Sequence, residues 1–202
     1  YCNISVQSCS LLFFKNSTLD DVMKFILFDA SKLPPRPNPT SLFRGFFGGF
    51  LAILTLEVLT LYTSNHFIMA PFGATCVLLF AASQSPLAQP RNVIFGHFIS
   101  AFVGLVFLKF FDYSIFTTPL AVGMAIYLMM LFRSVHPPAG ANPLVILLTA
   151  NQVHYGWDFL LFPVLSGSII LVLLAYAINN VKCETKWPVY WLAFFKNKQG
   201  GK

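Results

Sequence analysis

Two five-residue motifs hold the best candidates for chemistry: Pro71-Phe72-Gly73-Ala74-Thr75 and Pro138-Ala139-Gly140-Ala141-Asn142. Each reads Pro-x-Gly-Ala, then a hydrogen-bonding residue, then an apolar run. Proline at a helix start removes a donor that would be orphaned anyway and keeps the preceding residue extended. Glycine lets backbone or ligand approach closely. A helix beginning at such a motif exposes unpaired N–H groups, and its dipole favours negative charge by up to ~2 kcal/mol per end in a partly buried setting. Two such ends with a histidine donor roughly offset the dehydration of a small anion. The chemistry implied is therefore weak anion recognition at Pro71, Gly73, Ala74, Thr75, Pro138, Gly140, Ala141 and Asn142, as a carrier requires.

Two histidines and one acid join these candidates. His136 precedes Pro137-Pro138 at the mouth of the second motif. It is read as a donor and a proton-coupling group, because imidazole titrates near neutral pH. His97 follows the first motif inside an apolar segment. A lone histidine in such a setting reads first as a packing residue and second as a donor to the same site. Glu57 is the one acid well inside an expected span, where an acid at a helix centre costs roughly 2.5–3.5 kcal/mol. It is read either as a partner for His97, Arg91 or a backbone N–H, or as a proton-coupling site. His66 and His154 fall in loops and read as structural, and Asp112 and Asp158 as solvated near the membrane edges.

The remaining chemistry is negative. Cys2, Cys9, Cys76 and Cys183 make neither a CxxC nor a Cys/His zinc spacing, so no metal and no cofactor are expected. A Cys2–Cys9 bridge is conceivable only in an oxidising compartment. The chain lacks HExxH, GxSxG and paired carboxylates, and it reads as a non-enzyme.

The elements that must position these residues are membrane helices. Of 202 residues 56% are apolar and only 10% charged, which leaves too little polar surface for a chain bathed in water. The +6 net charge suits loops that orient a membrane protein; no nucleic-acid-binding pattern accompanies it. Residues 1–40 read as a surface helix near 17–28 and a proline-rich linker, residues 41–179 as the transmembrane domain, and residues 180–202 as a basic tail with interfacial aromatics. Full spans are expected at Ser41–Tyr62, Asn92–Phe111, Phe116–Phe132 and Phe159–Ile178. Short half-helices are expected at Gly73–Ala82 and Ala139–Ala150, each covering about half a bilayer. In GFFGGF, residues 45–50, the glycines permit close helix contact.

The two motifs are offset by sixty-seven positions (75 to 142), and the same shift carries span 92–111 onto 159–178. The fold expected is an all-α polytopic membrane protein with two three-segment repeats, about 41–111 and 116–178, each span, broken segment, span. If the broken segments cross the membrane, three crossings per half invert the second half. All basic residues except Lys109 then fall on one side. If they are re-entrant, Arg91 and Arg133 move across and Lys109 rejoins the majority. Both models put the two termini in the cytoplasm, with the plasma (bacterial inner) membrane as location.

HPPAGANPL, together with PFGATCVLLFAASQSPLAQPRNVIFGH, resembles the HPP family of integral membrane proteins over roughly residues 40–180. The chain reads Phe95-Gly96-His97 where Gly-Gly-His is expected, and Asn142-Pro143 replaces a commoner small pair. The resemblance implies four full membrane helices. Because some plastid and cyanobacterial members are implicated in nitrite transport, it also implies a small-anion transporter with nitrite as lead candidate. The expected partners are the lipid bilayer and that anion, with homo-oligomerisation open. The alternative is a scaffold or partner subunit that transports nothing.

Overall fold

The computed structural model describes residues 36–63, 67–181 and 186–191. The expected surface helix near 17–28, the Cys2–Cys9 pairing and His66 lie outside them. Two compact units divide the chain, Tyr1–Pro37 and Asn38–Lys202, and the described helices belong to the second.

Helices α1 (Pro39–Thr63), α2 (Ala70–Ala81), α3 (Pro90–Phe110), α4 (Thr117–Leu131), α5 (Asn142–Thr149) and α6 (Ser166–Asn179) follow in order, and the described residues contain no strand. By length and composition Pro39–Thr63, Pro90–Phe110 and Trp157–Asn179 can cross a membrane; α2 and α4 are shorter apolar helices.

Proline sets most helix starts. Pro90 opens α3 and Pro71 lies in the first turn of α2, which begins at Ala70 rather than at the expected Gly73. The second short helix departs further from expectation. Pro137–Ala141 form a tight 3-10 turn, and the α-helix begins only at Asn142. Pro143 has no N–H to bond the carbonyl of Ala139, so an α-helical ladder cannot run through it. The Ala139 carbonyl accepts instead from the Asn142 N–H and the Ser100 hydroxyl. The last span is likewise broken rather than continuous. Trp157–Leu160 is 3-10, Leu161–Leu165 a wide turn, and Phe162 is non-helical at φ −129°, ψ 113°. Pro163 forces the residue before it out of helical geometry.

Helix α3 is the centre. It packs against α4, α5, α6 and the Pro137–Ala141 turn, whereas α1 touches mainly α2 and α6. Close approach is bought by glycine at a few points. A Cβ on Gly104 of α3 would stand 3.1 Å from Pro143 Cα of α5, and one on Gly167 of α6 2.5 Å from the Phe72 ring of α2. Within GFFGGF only Gly48 makes such a contact, with Phe80; Gly45 and Gly49 face open space.

The ends of the bundle are fixed by contacts. Arg91, at the start of α3, donates to the carbonyls of Phe132 and Arg133 just after α4. At this same end the tail folds back: Val189 N–H donates to Gln89, and the Tyr190 hydroxyl bonds Pro86 O and Asn92 Oδ1. The tail was expected at the membrane interface, yet Trp187 is buried in the main core. At the opposite end Lys109, closing α3, lies over the Trp157 ring. There the start of α2 and the end of α5 line one cavity. Helices α2 and α5 therefore run in opposite directions.

Candidate functional site

The two motifs converge on His97. Helix α2 places Pro71 and Thr75 on one face at i and i+4, and α3 places His97 and Ser100 on one face at i and i+3. Thr75 Oγ1 lies 2.8 Å from His97 Nε2, and Asn142 Nδ2 lies 3.2 Å from His97 Nδ1. Thr75 and Asn142 are the equivalent fifth residues of the two motifs, and they hold one imidazole from opposite edges. His136 completes the cluster, with Nε2 3.0 Å from Thr75 Oγ1 and Nδ1 2.8 Å from the Leu87 carbonyl. The two imidazole centroids are 5.1 Å apart, and the Phe72 ring meets His97 edge-on at 5.0 Å. Thr75, His97 and His136 are fully buried and Asn142 nearly so.

Donor and acceptor roles follow from groups that have only one role. Asn142 Nδ2 also donates to the His97 carbonyl at 3.1 Å, which fixes it as the amide nitrogen. His97 Nδ1 therefore accepts, and its proton sits on Nε2, which donates to Thr75 Oγ1. The Leu87 carbonyl can only accept, so His136 carries its proton on Nδ1 and presents a bare Nε2. The Thr75 hydroxyl has two acceptors within reach, His136 Nε2 and the Pro71 carbonyl at 2.9 Å. With neutral rings it must donate to Nε2, since otherwise a buried lone pair goes unmet. The result is a chain of hydrogen bonds with one polarity, from Asn142 through His97, Thr75 and His136 to Leu87.

Three expectations need correction. The meeting point of the motifs is no hollow: the side chains of Thr75, His97, His136 and Asn142 bond one another across it. Gly73, Ala74, Gly140 and Ala141 do not line the cluster. They are partly or fully exposed on the other side of their turns, and added Cβ atoms at Gly73 and Gly140 meet nothing within 4 Å. This follows from helical period, which sets residues two and three after Pro71 away from the face shared by Pro71 and Thr75. Glu57 is exposed on α1, and His97 is held by Thr75 and Asn142 instead. Pro71 and Pro138 are buried beside the cluster, as their role at the turns requires.

Roomier space lies one step away. A cavity of about 580 Å³ opens between Met69 and Ala70 at the start of α2, Val145 and Thr149 of α5, and Tyr155 and Asp158 ahead of α6. His154, expected to be structural, also lines it. Val145 is three residues beyond Asn142, about 4.5 Å along the axis. The cavity thus ends a single turn from the cluster. Two members of the cluster's surroundings gave little sign in sequence. Ser100 stands three residues after His97, a spacing that offers a hint, but Leu87 contributes a backbone carbonyl, which no residue type reveals. Among the described residues no group of three or more His, Cys, Asp or Glu could hold a metal ion.

Apolar helices of spanning length around a buried polar cluster define an α-helical membrane protein. The chain belongs to the HPP family, whose transmembrane-region model matches residues 34–188. It is similar to two transmembrane proteins of Dictyostelium discoideum, at 36% and 35% identity over 168 residues, 79% of this chain. The chain spans 54% and 59% of the lengths of these relatives. No solved structure is significantly similar.

Proposed function

We propose that the chain is a membrane transporter for a small monovalent anion, with nitrite the first candidate, as the family resemblance implies. The observation that carries this reading is the grip of Thr75 and Asn142 on the two nitrogens of His97. Broken backbone is tolerated at membrane depth only inside protein or beside a polar cavity. Here two broken segments bring a hydroxyl, an amide and two imidazoles to one place, and a cavity stands a turn away. The closed cluster is read as an occluded state, in which donors that satisfy one another turn onto an entering anion. The opposed directions of α2 and α5, together with the repeat of their motifs, support two inverted repeats of three crossings each. In that topology both termini are cytoplasmic, and the plasma membrane is the proposed location.

The test is flux into liposomes carrying the purified protein. Nitrite uptake above that of protein-free liposomes is expected, and Asn142→Ala should reduce it. Uptake no greater than in empty liposomes for nitrite, nitrate, formate and chloride alike would overturn transport. A non-transporting scaffold is the second reading. It is favoured by the absence of exposed surface on His97 and His136, and by the outward-facing Gly73, Ala74 and Gly140, which suit close approach of another helix.

A further inference from the structure

We infer that the buried cluster takes up one proton together with each anion, so that transport is electroneutral anion–proton symport, with Thr75 as the hydroxyl that turns between the two states. The inference rests on the transport reading and adds to it the coupled ion.

The argument is a count of donors and acceptors. In the neutral cluster Thr75 accepts from His97 Nε2 and donates to His136 Nε2, 2.8 and 3.0 Å away. If His136 gains a proton on Nε2, that nitrogen becomes a donor, and Thr75 Oγ1 must accept from both imidazoles. A hydroxyl oxygen has two lone pairs, which suffice. Its own proton must then go elsewhere, and the Pro71 carbonyl stands ready at 2.9 Å. One added proton is accommodated by rotation about a single bond, with no hydrogen bond lost. His136 keeps its Nδ1–H on Leu87 throughout. The step balances: a proton enters on His136 Nε2, the Thr75 proton turns from Nε2 to Pro71 O, and the cluster gains one positive charge.

Among the described residues no carboxylate packs against that charge. The turn bearing His136 packs against α2, α3, α4 and α5, and none of these elements carries a carboxylate. Their titratable and charged groups are Cys76 on α2, Arg91, His97 and Lys109 on α3, and Tyr127 on α4; Arg133 follows α4. Tyr190 of the tail reaches Asn92 and stands beside Arg91. The described acids are three: Glu57 is exposed on α1, Asp112 is exposed just after α3, and Asp158 lines the cavity. A buried cation without a counter-charge is strongly disfavoured. A small anion arriving from the cavity supplies that counter-charge, and its binding and protonation then favour each other.

The experiment uses the full chain in liposomes, with nitrite as probe and with imposed pH gradients and potassium diffusion potentials. Symport predicts nitrite accumulation rising about tenfold per unit of inward proton gradient, unaffected by the potential. Thr75→Val should abolish accumulation driven by the pH gradient, and Thr75→Ser should restore it. Accumulation that follows the potential and ignores the pH gradient overturns the inference while leaving transport standing. Flux absent for nitrite, nitrate, formate and chloride removes transport and the coupling with it. If Thr75→Val does not fold, the wild-type comparison of pH gradient against potential, read as initial rate above that of protein-free liposomes, still decides.

Discussion

Gly96 and His136 touch backbone to side chain: a Cβ on Gly96 would stand 2.6 Å from His136 Cβ and 3.1 Å from the Ser134 carbonyl. Helix α3 thus supplies both the central imidazole, at His97, and the bare neighbour that lets the second imidazole in. Gly96→Ala should displace His136 and cost about 1–3 kcal/mol by overpacking. Gly73→Ala meets nothing within 4 Å and should be neutral or stabilising by up to ~1 kcal/mol, since alanine suits a helix interior. Thermal unfolding of both variants in detergent checks the contrast. Equal melting temperatures would contradict the packing of α3 on the second break.

Thr75 accepts from one imidazole and donates to the other, so its hydroxyl should be worth more than its size suggests. Thr75→Val keeps the shape but leaves His97 Nε2–H and His136 Nε2 buried without a partner, at a cost of about 1–3 kcal/mol. Thr75→Ser keeps the hydroxyl and should recover most of that stability. Chemical denaturation of the three proteins, with unfolding followed by tryptophan emission, measures the difference. A valine variant as stable as wild type would show that the hydroxyl is not shared between the two rings.

The helices were legible because composition and proline mark them. The six apolar segments stand near their expected positions, but α4, expected as a full span, has only 15 residues, so three of the described helices rather than four are of spanning length. The starts of the short helices were less legible. A proline counts both as the first residue of a helix, as at Pro71, and as the missing donor that delays one, as at Pro143. At Asn142 the missing donor wins, and the Ala139 carbonyl is shared between the Asn142 N–H and Ser100, thirty-nine positions before Ala139 in another helix. The polar half of the site was visible as Thr75, His97, His136 and Asn142. The small half was misplaced, because motif adjacency says nothing about which face of a turn points inward. The cavity gave no sign, since its walls come from three separate segments and its polar residues look like ordinary loop.

Tyr190 makes the tail sensitive to alkaline pH. Its single hydroxyl proton serves two acceptors, Pro86 O and Asn92 Oδ1, both at 2.9 Å. Burial raises the phenol above its ordinary value of 10, and the Arg91 charge opposes this in part. A raised value means that the folded tail binds the proton more tightly than the unfolded one. The stabilisation is therefore fully present below the unfolded value and is lost as pH climbs through the higher folded value. Above it, a phenolate would face two carbonyl oxygens and release the tail. The wild-type minus Tyr190→Phe difference in tyrosinate absorbance should titrate above pH 10, with tail proteolysis rising over the same range. A difference titrating at or below 10 would refute the docking of Tyr190.

Glu57 separates a carboxylate mechanism from an imidazole one. It faces outward on α1, between Leu54 and Leu61, which are 44% and 75% exposed. A carboxylate there has no route to the bonded chain of Thr75, His97 and His136, whose ring nitrogens are already taken. Glu57→Gln should leave stability in detergent within ~0.5 kcal/mol of wild type, as surface changes do. It should ease insertion of α1, because an acid near a helix centre costs roughly 2.5–3.5 kcal/mol at the translocon. Nitrite accumulation driven by a pH gradient should be unchanged, because the proton is carried by the imidazoles. If Glu57→Gln abolishes that dependence while Thr75→Val preserves it, the carboxylate on α1 carries the proton, and the buried cluster only holds the helices together.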